Sequence, residues 1–517
     1  MAGAALLWGM TGATEPDEIG QHGIAGAVRR GTRVVLLAQV ASQVISLVVL
    51  AIMMRLIAPA EYGLLGMVLP AVMLPRMAAT LGLSTAVMQR DLSHAELSSL
   101  FWLSAVWGLL AAAVTAACGP LLASAYDRPI VWPLCLALAG STFIAALGSQ
   151  HQALLERKLQ LKPLAGARLL ALACGGFAGI YTARRGAGVW ALVAQQYGEL
   201  VVLTMWAWLL EPWRPSWPSR QTRVGSLIQF SGYYSASQLV YYLAQNLDKL
   251  LLPLLLGASA DRAVGLYSQA FNLMMKPVYL LTSPLSGIVV AGLSQASIDS
   301  TAHAALVTRF YRIVAVGLFP CAAGVAIVGR DLLLLIGGPK WEAGGWILAA
   351  LAPAMLAHGL INLGMLMLAS TGRAGRLLLS TTALVGLLLL AGMIAIPFGR
   401  QFFSGQTGEP TVAAALGLAS GYSAVMVGVF LLPFLWVCRK SSGLGLTRLL
   451  RTLWPSFWAA VVMGAAVWGL RLLLAEKPLA AWVHATVLVG AGITIYLTLA
   501  WREIRWCWRE LVVNSDT

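Results

Sequence analysis

The chain contains 517 residues, of which 59% are hydrophobic and 11% are charged, and its mean hydropathy is +0.79. A soluble protein of this size carries about 25% charged residues, so the composition excludes a soluble globular protein and predicts a polytopic helical membrane protein. The formal net charge of +15 would suit a nucleic-acid partner. In a membrane protein, however, the cytoplasmic links collect Lys and Arg, and we expect no nucleic-acid partner.

The sequence has no signature of a cofactor or of a catalytic centre. Its six cysteines are scattered without paired spacing, so they predict neither a disulfide framework nor a metal site. The sequence contains no phosphate-binding loop, zinc-binding helix motif or nucleophile elbow. We therefore expect a protein that is not an enzyme, that binds no cofactor, and that does not drive transport with ATP by itself.

Hydrophobic runs separated by proline, glycine and charge clusters predict an all-α protein with about fourteen transmembrane helices joined by short links. Their approximate cores are 33–57, 63–88, 97–122, 130–150, 163–182, 187–210, 227–256, 264–292, 309–336, 344–369, 375–398, 411–437, 450–473 and 480–500. Of the 35 Lys and Arg residues, 21 fall on the side of the N-terminal tail, 10 on the opposite side and 4 within the spans. Because cytoplasmic links collect basic residues, both termini are predicted to be cytoplasmic.

The first 28 residues do not have the pattern of a signal peptide. They contain Glu15, Asp17 and Glu18 but no basic start followed by an apolar core. We expect a disordered cytoplasmic tail here, and the true start of the protein could lie downstream.

Spans seven and eight carry charge where a lipid-facing helix tolerates it least. Both are long enough to cross a bilayer, yet the first contains Asp248 and Lys249 and the second contains Lys276. Polar residues recur along each span at alternating spacings of three and four, so each set shares a helix face that should point into a protein interior or a watery cavity. The two sets are Tyr234, Gln238, Tyr241, Gln245 and Asp248, and Gln269, Asn272, Lys276, Tyr279 and Ser283.

Asp248 and Lys276 are equidistant from residue 262 in the connecting link. An antiparallel hairpin therefore places both about 20 Å from the turn, where they could lie close to each other. One interpretation is a salt bridge that only locks the two helices. The other is a cationic site for a substrate or an ion inside a cavity, which is favoured because Lys249 and Lys276 are two cations facing a single aspartate.

Two further polar positions in predicted spans are ambiguous. Glu199 in span six, beside Gln195 and Gln196, could bind a proton or sodium, or could be a neutral and hydrogen-bonded acid. His358 and Asn362 are four residues apart on span ten, and packing explains them better, since polar groups often join transmembrane helices.

A weak internal repeat connects the two halves of the chain. The matching pieces are 41–44 (ASQV) with 236–239 (ASQL), 61–64 (EYGL) with 264–267 (VGLY), and Pro75-Arg76 with Lys276-Pro277. Parallel repeats of this kind build two-lobed transporters whose site lies between the lobes.

Three stretches resemble a known family: RGTRVVLLAQVASQVISLVVLAIMMRLIAPAEYGLLGM at 30–67, QALLERKLQLKPLA at 152–165, and NLDKLLLPLLLG with VGLYSQAFNLMMKPV within 246–278. In these the chain resembles the polysaccharide flippases of the multidrug/oligosaccharidyl-lipid/polysaccharide exporter superfamily, in the Wzx and WzxC-like group. The resemblance covers about residues 29–440, and the last two spans match by number and hydrophobicity alone. The segment 246–249 is its most specific piece.

The resemblance implies two six-helix lobes in a V-shaped arrangement with two helices appended. The expected divisions are a tail at 1–28, an N-terminal lobe at 29–210, a cytoplasmic linker at 211–226, a C-terminal lobe at 227–437, two appended helices at 438–501 and a tail at 502–517. The implied function is to move an undecaprenyl-pyrophosphate-linked oligosaccharide across the bacterial inner membrane for exopolysaccharide, capsule or O-antigen assembly. Partners would be that glycan, the bilayer, and a polysaccharide polymerase with its chain-length machinery.

Relatives in this family line the cavity between the lobes with cations. The matching positions here are Arg76, Lys249 and Lys276 with Asp248 as partner, whereas Arg55 lies near the outer end of its helix, where it can reach water. Sodium or proton coupling would involve Asp248 or Glu199. The polar residues expected to line the cavity beside the sugar are Gln238, Tyr241, Gln245, Gln269 and Asn272.

Two other functions stay open at the level of sequence. A drug or cation antiporter of the same superfamily would need a net acidic cavity, whereas the buried charges here lean positive. A membrane polysaccharide polymerase or ligase would present a large outer loop with catalytic residues, and no outer link here exceeds a short turn or two.

Overall fold

The computed structural model describes residues 18–80, 87, 92–158, 160–218, 232–295, 301–371, 373–442, 445–474 and 481–509. Within these ranges the chain is 92% helical and has no β-strand, which confirms the predicted all-α membrane class. The expected N-terminal tail up to residue 17, the linker from residue 219 to 226 and the tail from residue 510 lie outside the described residues, as does the side chain of Tyr234.

Long helices occupy the predicted spans in the described ranges, and we number them in chain order. The first six are α1 (Glu18–Leu56), α2 (Pro59–Thr80), α3 (His94–Ala125), α4 (Val131–Arg157), α5 (Leu161–Arg184) and α6 (Val189–Leu210). The next six are α7 (Gly232–Leu256), α8 (Asp261–Gln295), α9 (Thr301–Gly337), α10 (Glu342–Ser370), α11 (Ala374–Phe402) and α12, which runs through Pro410–Ser423, a π-helical stretch Ala424–Phe430 and Leu431–Ser442. The last are α13 (Leu446–Leu474), α14 (Ala481–Leu499) and the short α15 (Trp501–Trp508).

Eleven stretches of the described residues are long and apolar enough to cross a membrane. One of these stretches, Ala236–Ser283, covers both α7 and α8, and neither α2 nor α6 is among the eleven. Helix α6 carries Glu199 beside Gln195 and Gln196 in mid-span, which lowers its apolar character. The chain is thus a multi-pass membrane protein, and the total of fourteen crossings stays a prediction.

The helices pack in two groups that meet along a narrow seam. Helices α1–α6, here called the N-terminal lobe, pack mainly on one another, and so do α7–α12, the C-terminal lobe. Helices α13 and α14 pack against α9. The two lobes meet mainly where α2 contacts α7 and α8, with a smaller contact between α1 and α9. The central site is therefore built along α2, α7 and α8.

The first part of the expected C-terminal tail forms α15, which packs against α9. The Arg312 Nε donates a hydrogen bond of 2.6 Å to the Glu503 carboxylate. The Arg312 guanidinium also lies 4.0 Å from the centre of the Trp506 ring. This ion pair and the cation–π contact hold α15 at the end of α9.

Helices α2 and α8 touch at their first turns, and two glycines allow it. A Cβ atom at Gly63 would lie 1.8 Å from the backbone oxygen of Asp261, and one at Gly265 would lie 1.7 Å from that of Pro59. The contacts are reciprocal, because each glycine meets the carbonyl four residues before the other glycine. This is the arrangement that two repeats related by a pseudo-two-fold axis produce, and it involves the same Gly-Leu pairs that the sequence repeat matched.

We predict that Gly63→Ala and Gly265→Ala each destabilise the fold by about 1–3 kcal/mol, since a methyl group has no room where the helices cross. The measurement is the thermal unfolding midpoint of the purified protein in detergent. Gly386→Ala on α11 is the matched control, because a Cβ there meets nothing within 4 Å. If Gly63→Ala unfolds at the same temperature as Gly386→Ala, the helices do not cross this closely.

Candidate functional site

A cavity of about 400 Å³ lies between α2, α6, α7 and α8, behind the glycine crossing. Its wall combines polar and aromatic side chains with a smaller apolar part. The polar and aromatic residues are Tyr62, Gln196, Tyr242, Gln245, Asn246, Lys249, Ser268, Gln269, Phe271, Asn272 and Tyr279. The apolar residues are Leu65, Leu69, Met73 and Met275, with Gly66 beside them. Residues from both lobes therefore share one chamber.

Lys249 supplies the positive charge in the wall of this cavity. Its side chain is mostly buried, with 7% of the residue exposed. The Nζ atom donates a hydrogen bond of 2.9 Å to Asn246 Oδ1 and lies 4.6 Å above the centre of the Phe271 ring. An amide oxygen and an aromatic face attract the ammonium group without neutralising it. The ammonium group is thus held in the cavity wall, and no ion pair among the described residues includes it.

Lys276 reaches across the seam between the lobes. It lies on α8, half-buried, and its Nζ donates a hydrogen bond of 2.9 Å to Ser46 Oγ on α1. Its neighbours Asn272 and Tyr279 on the same helix line the cavity. None of the ion pairs among the described residues includes Lys249 or Lys276.

Arg76 and Glu199 interact electrostatically across the N-terminal lobe. Arg76 lies on α2, one turn beyond the cavity residue Met73, and Glu199 lies on α6, one turn beyond Gln196. Arg76 is half-buried and Glu199 is exposed. The two opposite charges therefore border the cavity at one end of the N-terminal lobe, where they offset each other.

Asp248 does not pair with Lys276, contrary to the interpretation of these residues as a salt bridge. No ion pair joins them among the described residues, and Asp248 borders a separate small void with Ala244, Leu388 and Tyr422 inside the C-terminal lobe. The reason is helical geometry: successive residues on a helix point about 100° apart, so Lys249 faces the cavity and Asp248 faces away from it. The alternative interpretation, a cationic site, agrees with this geometry.

Of the other predicted cavity residues, some line the cavity and others do not. Gln245, Gln269 and Asn272 line the cavity, whereas Gln238 is half-buried and is not part of its wall. Tyr241 is buried in the C-terminal lobe, where its hydroxyl donates to Asn362 Oδ1 at 3.1 Å. His358 lies 3.3 Å from the same hydroxyl. These contacts agree with the interpretation of His358 and Asn362 as packing groups.

Several cavity residues were missed by the sequence analysis because the wrong edge of α7 was chosen. The predicted stripe followed Tyr241, Gln245 and Asp248, while the wall of the cavity follows Tyr242, Asn246 and Lys249 one residue later. The spacing of four and three is the same in both stripes, and periodicity alone cannot choose between them. Other wall residues come from distant parts of the chain, namely Tyr62, Gln196 and Phe271, and Ser46 enters the site only as the partner of Lys276.

The end of the molecule beyond the glycine crossing is closed by contacts between the lobes. Arg55 on α1 donates hydrogen bonds to the backbone oxygens of Leu335 (2.8 Å) and Ile336 (3.2 Å) at the C-terminal end of α9. Trp341 Nε1 donates to the backbone oxygen of Met54 at 2.8 Å. A cation at a helix C-terminus is stabilised by the helix dipole, so Arg55 has a structural partner of its own. Arg55 therefore belongs to this closure and not to the cavity.

An ion pair reinforces the same closure. The Arg128 guanidinium, in the turn between α3 and α4, lies 2.6 Å from the Asp261 carboxylate at the start of α8. It also donates to the backbone oxygen of Ala258. Together with the glycine crossing, these contacts tie three parts of the N-terminal lobe to the same end of the C-terminal lobe. The cavity is thus shut at the end where the link between α1 and α2 lies.

We predict that Arg55→Met lowers the free energy of unfolding by about 1 kcal/mol, since two charge-assisted hydrogen bonds to α9 are lost while the alkyl chain is kept. Chemical unfolding of the purified protein in detergent measures this loss. Arg262→Met is the control, because its 3.5 Å contact with Glu409 is an exposed ion pair within the C-terminal lobe and should contribute little. Equal effects of the two substitutions would contradict a closure that depends on Arg55.

Comparison with known proteins agrees with this architecture. A family model described as polysaccharide biosynthesis protein matches residues 52–344. The chain is 24% identical to the teichuronic acid biosynthesis protein TuaB of Bacillus subtilis over 427 residues, covering 81% of this chain and 84% of that protein. It is 23% identical to the lipopolysaccharide biosynthesis protein WzxC of Escherichia coli over 309 residues, covering 58% of this chain and 61% of WzxC.

Among solved structures, the lipid II flippase MurJ in an inward closed conformation is similar with a TM-score of 0.68 and 11% identity, over 92% of this chain and 99% of that one. At this identity the likeness concerns the fold alone. It confirms the flippase-like fold that the sequence predicted. Because the family model matches more than half of the chain, this protein belongs to the family of polysaccharide biosynthesis proteins.

Proposed function

We propose that the protein is a flippase that moves an undecaprenyl-pyrophosphate-linked oligosaccharide repeat unit from the inner to the outer leaflet of the bacterial inner membrane. The product would feed exopolysaccharide, capsule or O-antigen assembly. The protein acts by alternating access and is a transporter without catalytic residues of its own. The names of its relatives support the proposal, since they include polysaccharide biosynthesis proteins and the succinoglycan biosynthesis transport protein ExoT of Rhizobium meliloti.

The observation that carries the proposal is a pair of lysines: Lys249 lies in the cavity wall, and Lys276 follows the wall residue Met275 on α8 without being part of the wall. Lys249 and Lys276 lie on adjacent helices, within mostly apolar segments, and neither forms an ion pair within the described residues. A charge inside a membrane protein is costly unless it serves a pathway or a ligand. A pyrophosphate carries at least two negative charges and loses its hydration when it leaves water. Fixed ammonium groups replace that hydration with charge-assisted hydrogen bonds.

The rest of the cavity wall suits a sugar. Tyr62, Tyr242 and Tyr279 present aromatic rings with polar tips, and the side-chain amides of Gln245, Gln269 and Asn272 supply both donors and acceptors. Sugars are bound by stacking on aromatic rings and by hydrogen bonds to such groups. Glycan and pyrophosphate can therefore occupy one chamber while the polyprenyl chain stays in lipid.

The closed end indicates which state of the transport cycle this conformation represents. Along α8, Tyr267 near the glycine crossing is fully buried, whereas Asn272 and Tyr279 further along are exposed. With both termini in the cytoplasm, the closed end lies on the outer face, and the cavity is presented to the inner leaflet. Export then requires the contacts of Arg55, Arg128 and the two glycines to separate as the lobes rock.

Turnover needs a driving force, and we propose coupling to a proton or sodium gradient. Asp248 and Glu199 are the acidic groups near the cavity that could carry the coupling ion. A polysaccharide polymerase and its chain-length machinery would act on the exported unit as partners. Arg76 would contact the substrate less strongly than the two lysines, because Glu199 offsets its charge.

A drug or cation antiporter fits the cavity less well. An organic cation needs a carboxylate in the wall, and no Asp or Glu lines the cavity among the described residues. Glu199 borders it but interacts with Arg76. A polymerase or ligase is disfavoured because the described links on the outer side are short turns, such as 257–260 and 403–409.

We predict that Lys249→Met and Lys276→Met each lower export at least tenfold, since each removes a charge-assisted contact worth about 1.5–3 kcal/mol. The measurement is accumulation of undecaprenyl-linked repeat units on the cytoplasmic face in a strain that lacks the gene and carries each variant. Lys249→Arg should retain part of the export because the charge is kept.

The control is Lys162→Met, which removes an exposed lysine at the start of α5, away from the cavity. Normal export by Lys249→Met and Lys276→Met, at equal protein levels, would refute the cationic site. A deletion strain with normal export but new sensitivity to cationic drugs would favour the antiporter instead.

A further inference from the structure

Asp248 is a carboxyl group buried in the C-terminal lobe, on the side of α7 that faces away from the cavity. It is 3% exposed. Its Oδ1 accepts a hydrogen bond of 2.8 Å from the backbone N–H of Lys249. Its Oδ2 is fully buried and faces the Tyr267 hydroxyl, but no donor within the described residues reaches this atom with good hydrogen-bond geometry. An unpartnered oxygen on a buried acid requires an explanation, because burying an unpaired carboxylate costs several kcal/mol.

The groups around Asp248 offset a negative charge only in part: Lys249 interacts with it electrostatically, but none of the ion pairs among the described residues includes Asp248. Lys249 is next to it, but its ammonium is directed to Asn246 and to the ring of Phe271. From α8 the facing group is the hydroxyl of Tyr267, and from α12 it is that of Tyr422. Helix α11 contributes Leu388 and Ala391, which are apolar. The surroundings of Asp248 therefore favour a neutral acid over a carboxylate.

A chain of hydrogen bonds runs through the lobe and ends at Tyr422, which borders the same void as this acid, and its direction can be assigned. Tyr241 donates its hydroxyl proton to Asn362 Oδ1 at 3.1 Å. The contact of 3.3 Å between Tyr241 and His358 Nδ1 must then have the ring N–H as donor. A neutral imidazole carries one N–H, so His358 Nε2 is an acceptor, and it accepts from the Tyr422 hydroxyl at 2.9 Å.

This direction determines what Tyr422 can offer to Asp248. Its proton points to His358, so its oxygen presents lone pairs to the void that it shares with Asp248. That void measures about 10 Å³, close to the smallest volume that holds one water molecule. A protonated Asp248 can donate to the Tyr422 oxygen directly or through this water. A carboxylate cannot, because it has no proton to donate.

We propose that Asp248 is a proton-binding site that is occupied in this conformation. Uptake adds one proton from the aqueous phase to Oδ2 and removes one negative charge from the C-terminal lobe; release reverses both changes. Sodium is disfavoured, since a hard cation is held by several oxygens at once, and this void offers the acid and Tyr422. Tyr422 lies two residues before the π-helical stretch Ala424–Phe430, a type of irregularity common at functional sites.

The same chain connects the proton to the substrate cavity. Tyr241 at its far end precedes Tyr242, which lines the cavity, and Asp248 precedes Lys249, which also lines it. A shift of α7 caused by a bound anion therefore changes the contacts of both Tyr241 and Asp248. His358 is a positioning residue here: it sets the direction of the Tyr422 hydroxyl. The role of the proton in driving export rests on the proposed function, but the site itself does not.

Infrared spectroscopy of the purified protein in lipid nanodiscs tests the site without any transport. At neutral pH, exposed acids are ionised, so a carbonyl band of a protonated carboxylic acid reports on buried acids. We expect this band in the wild type and its loss in Asp248→Asn. Glu199→Gln, the matched control, should keep it. Tyr422→Phe should keep the band but shift it to higher frequency, because the acid loses its hydrogen-bond acceptor.

Three results would overturn the proposal: no such band in the wild type, a band unchanged in Asp248→Asn, or a band abolished by sodium chloride but not by choline chloride at constant pH. The last result would mean that a carboxylate binds sodium. Export assays separate this site from the proposed function. If Asp248→Asn loses the band while export continues, the proton site stands and its coupling to export is refuted; if the band persists while export stops, the site is refuted.

Discussion

The close crossing of α2 and α8 is the constraint on which the rest of the architecture depends. Two backbones approach so closely at Gly63 and Gly265 that neither position has room for a Cβ atom. The same end of α2 also contacts α6: the Glu61 carboxylate accepts a hydrogen bond of 2.8 Å from the Val189 backbone N–H at the first turn of α6. Three helices, α2, α6 and α8, are thus fixed relative to one another at one end, and the space left behind the crossing is the cavity.

The second constraint is the cost of charge in an apolar environment, and the two lobes meet it in different ways. In the N-terminal lobe Arg76 and Glu199 have opposite charges and interact. In the C-terminal lobe Lys249 is held by an amide oxygen and an aromatic ring, neither of which cancels its charge. Breaking a buried pair exposes an uncompensated charge, whereas a cation that is outside any ion pair gains by binding an anion. Under the proposed function, this asymmetry would place the anionic part of the substrate at the C-terminal lobe.

The sequence predicted the helices well, because apolar length is a local property that no tertiary contact overrides. It also located Lys249, Lys276 and the polar faces of α7 and α8. It did not decide which edge of α7 faces the cavity, since Tyr241 and Tyr242 begin stripes of identical spacing. Nor could it foresee that Lys276 contacts Ser46 on α1, because that contact depends on how the lobes dock. Both glycines belong to the sequence repeat, but the structure was needed to show that α2 and α8 cross at them.

Asp248, at the void inside the C-terminal lobe, and Lys249, in the cavity wall, cannot move independently of each other. They are adjacent on one helix, so their side chains must diverge by about 100°, and one enters the lobe while the other enters the cavity. Any rotation of α7 that brings Lys249 closer to an anion also moves Asp248 relative to Tyr267 and Tyr422. An anion that binds at Lys249 in the cavity would therefore also displace Asp248 in the C-terminal lobe, since the two residues are joined in one helix. In the proposed coupled transport, these two consecutive residues would supply the connection between the ion site and the substrate cavity.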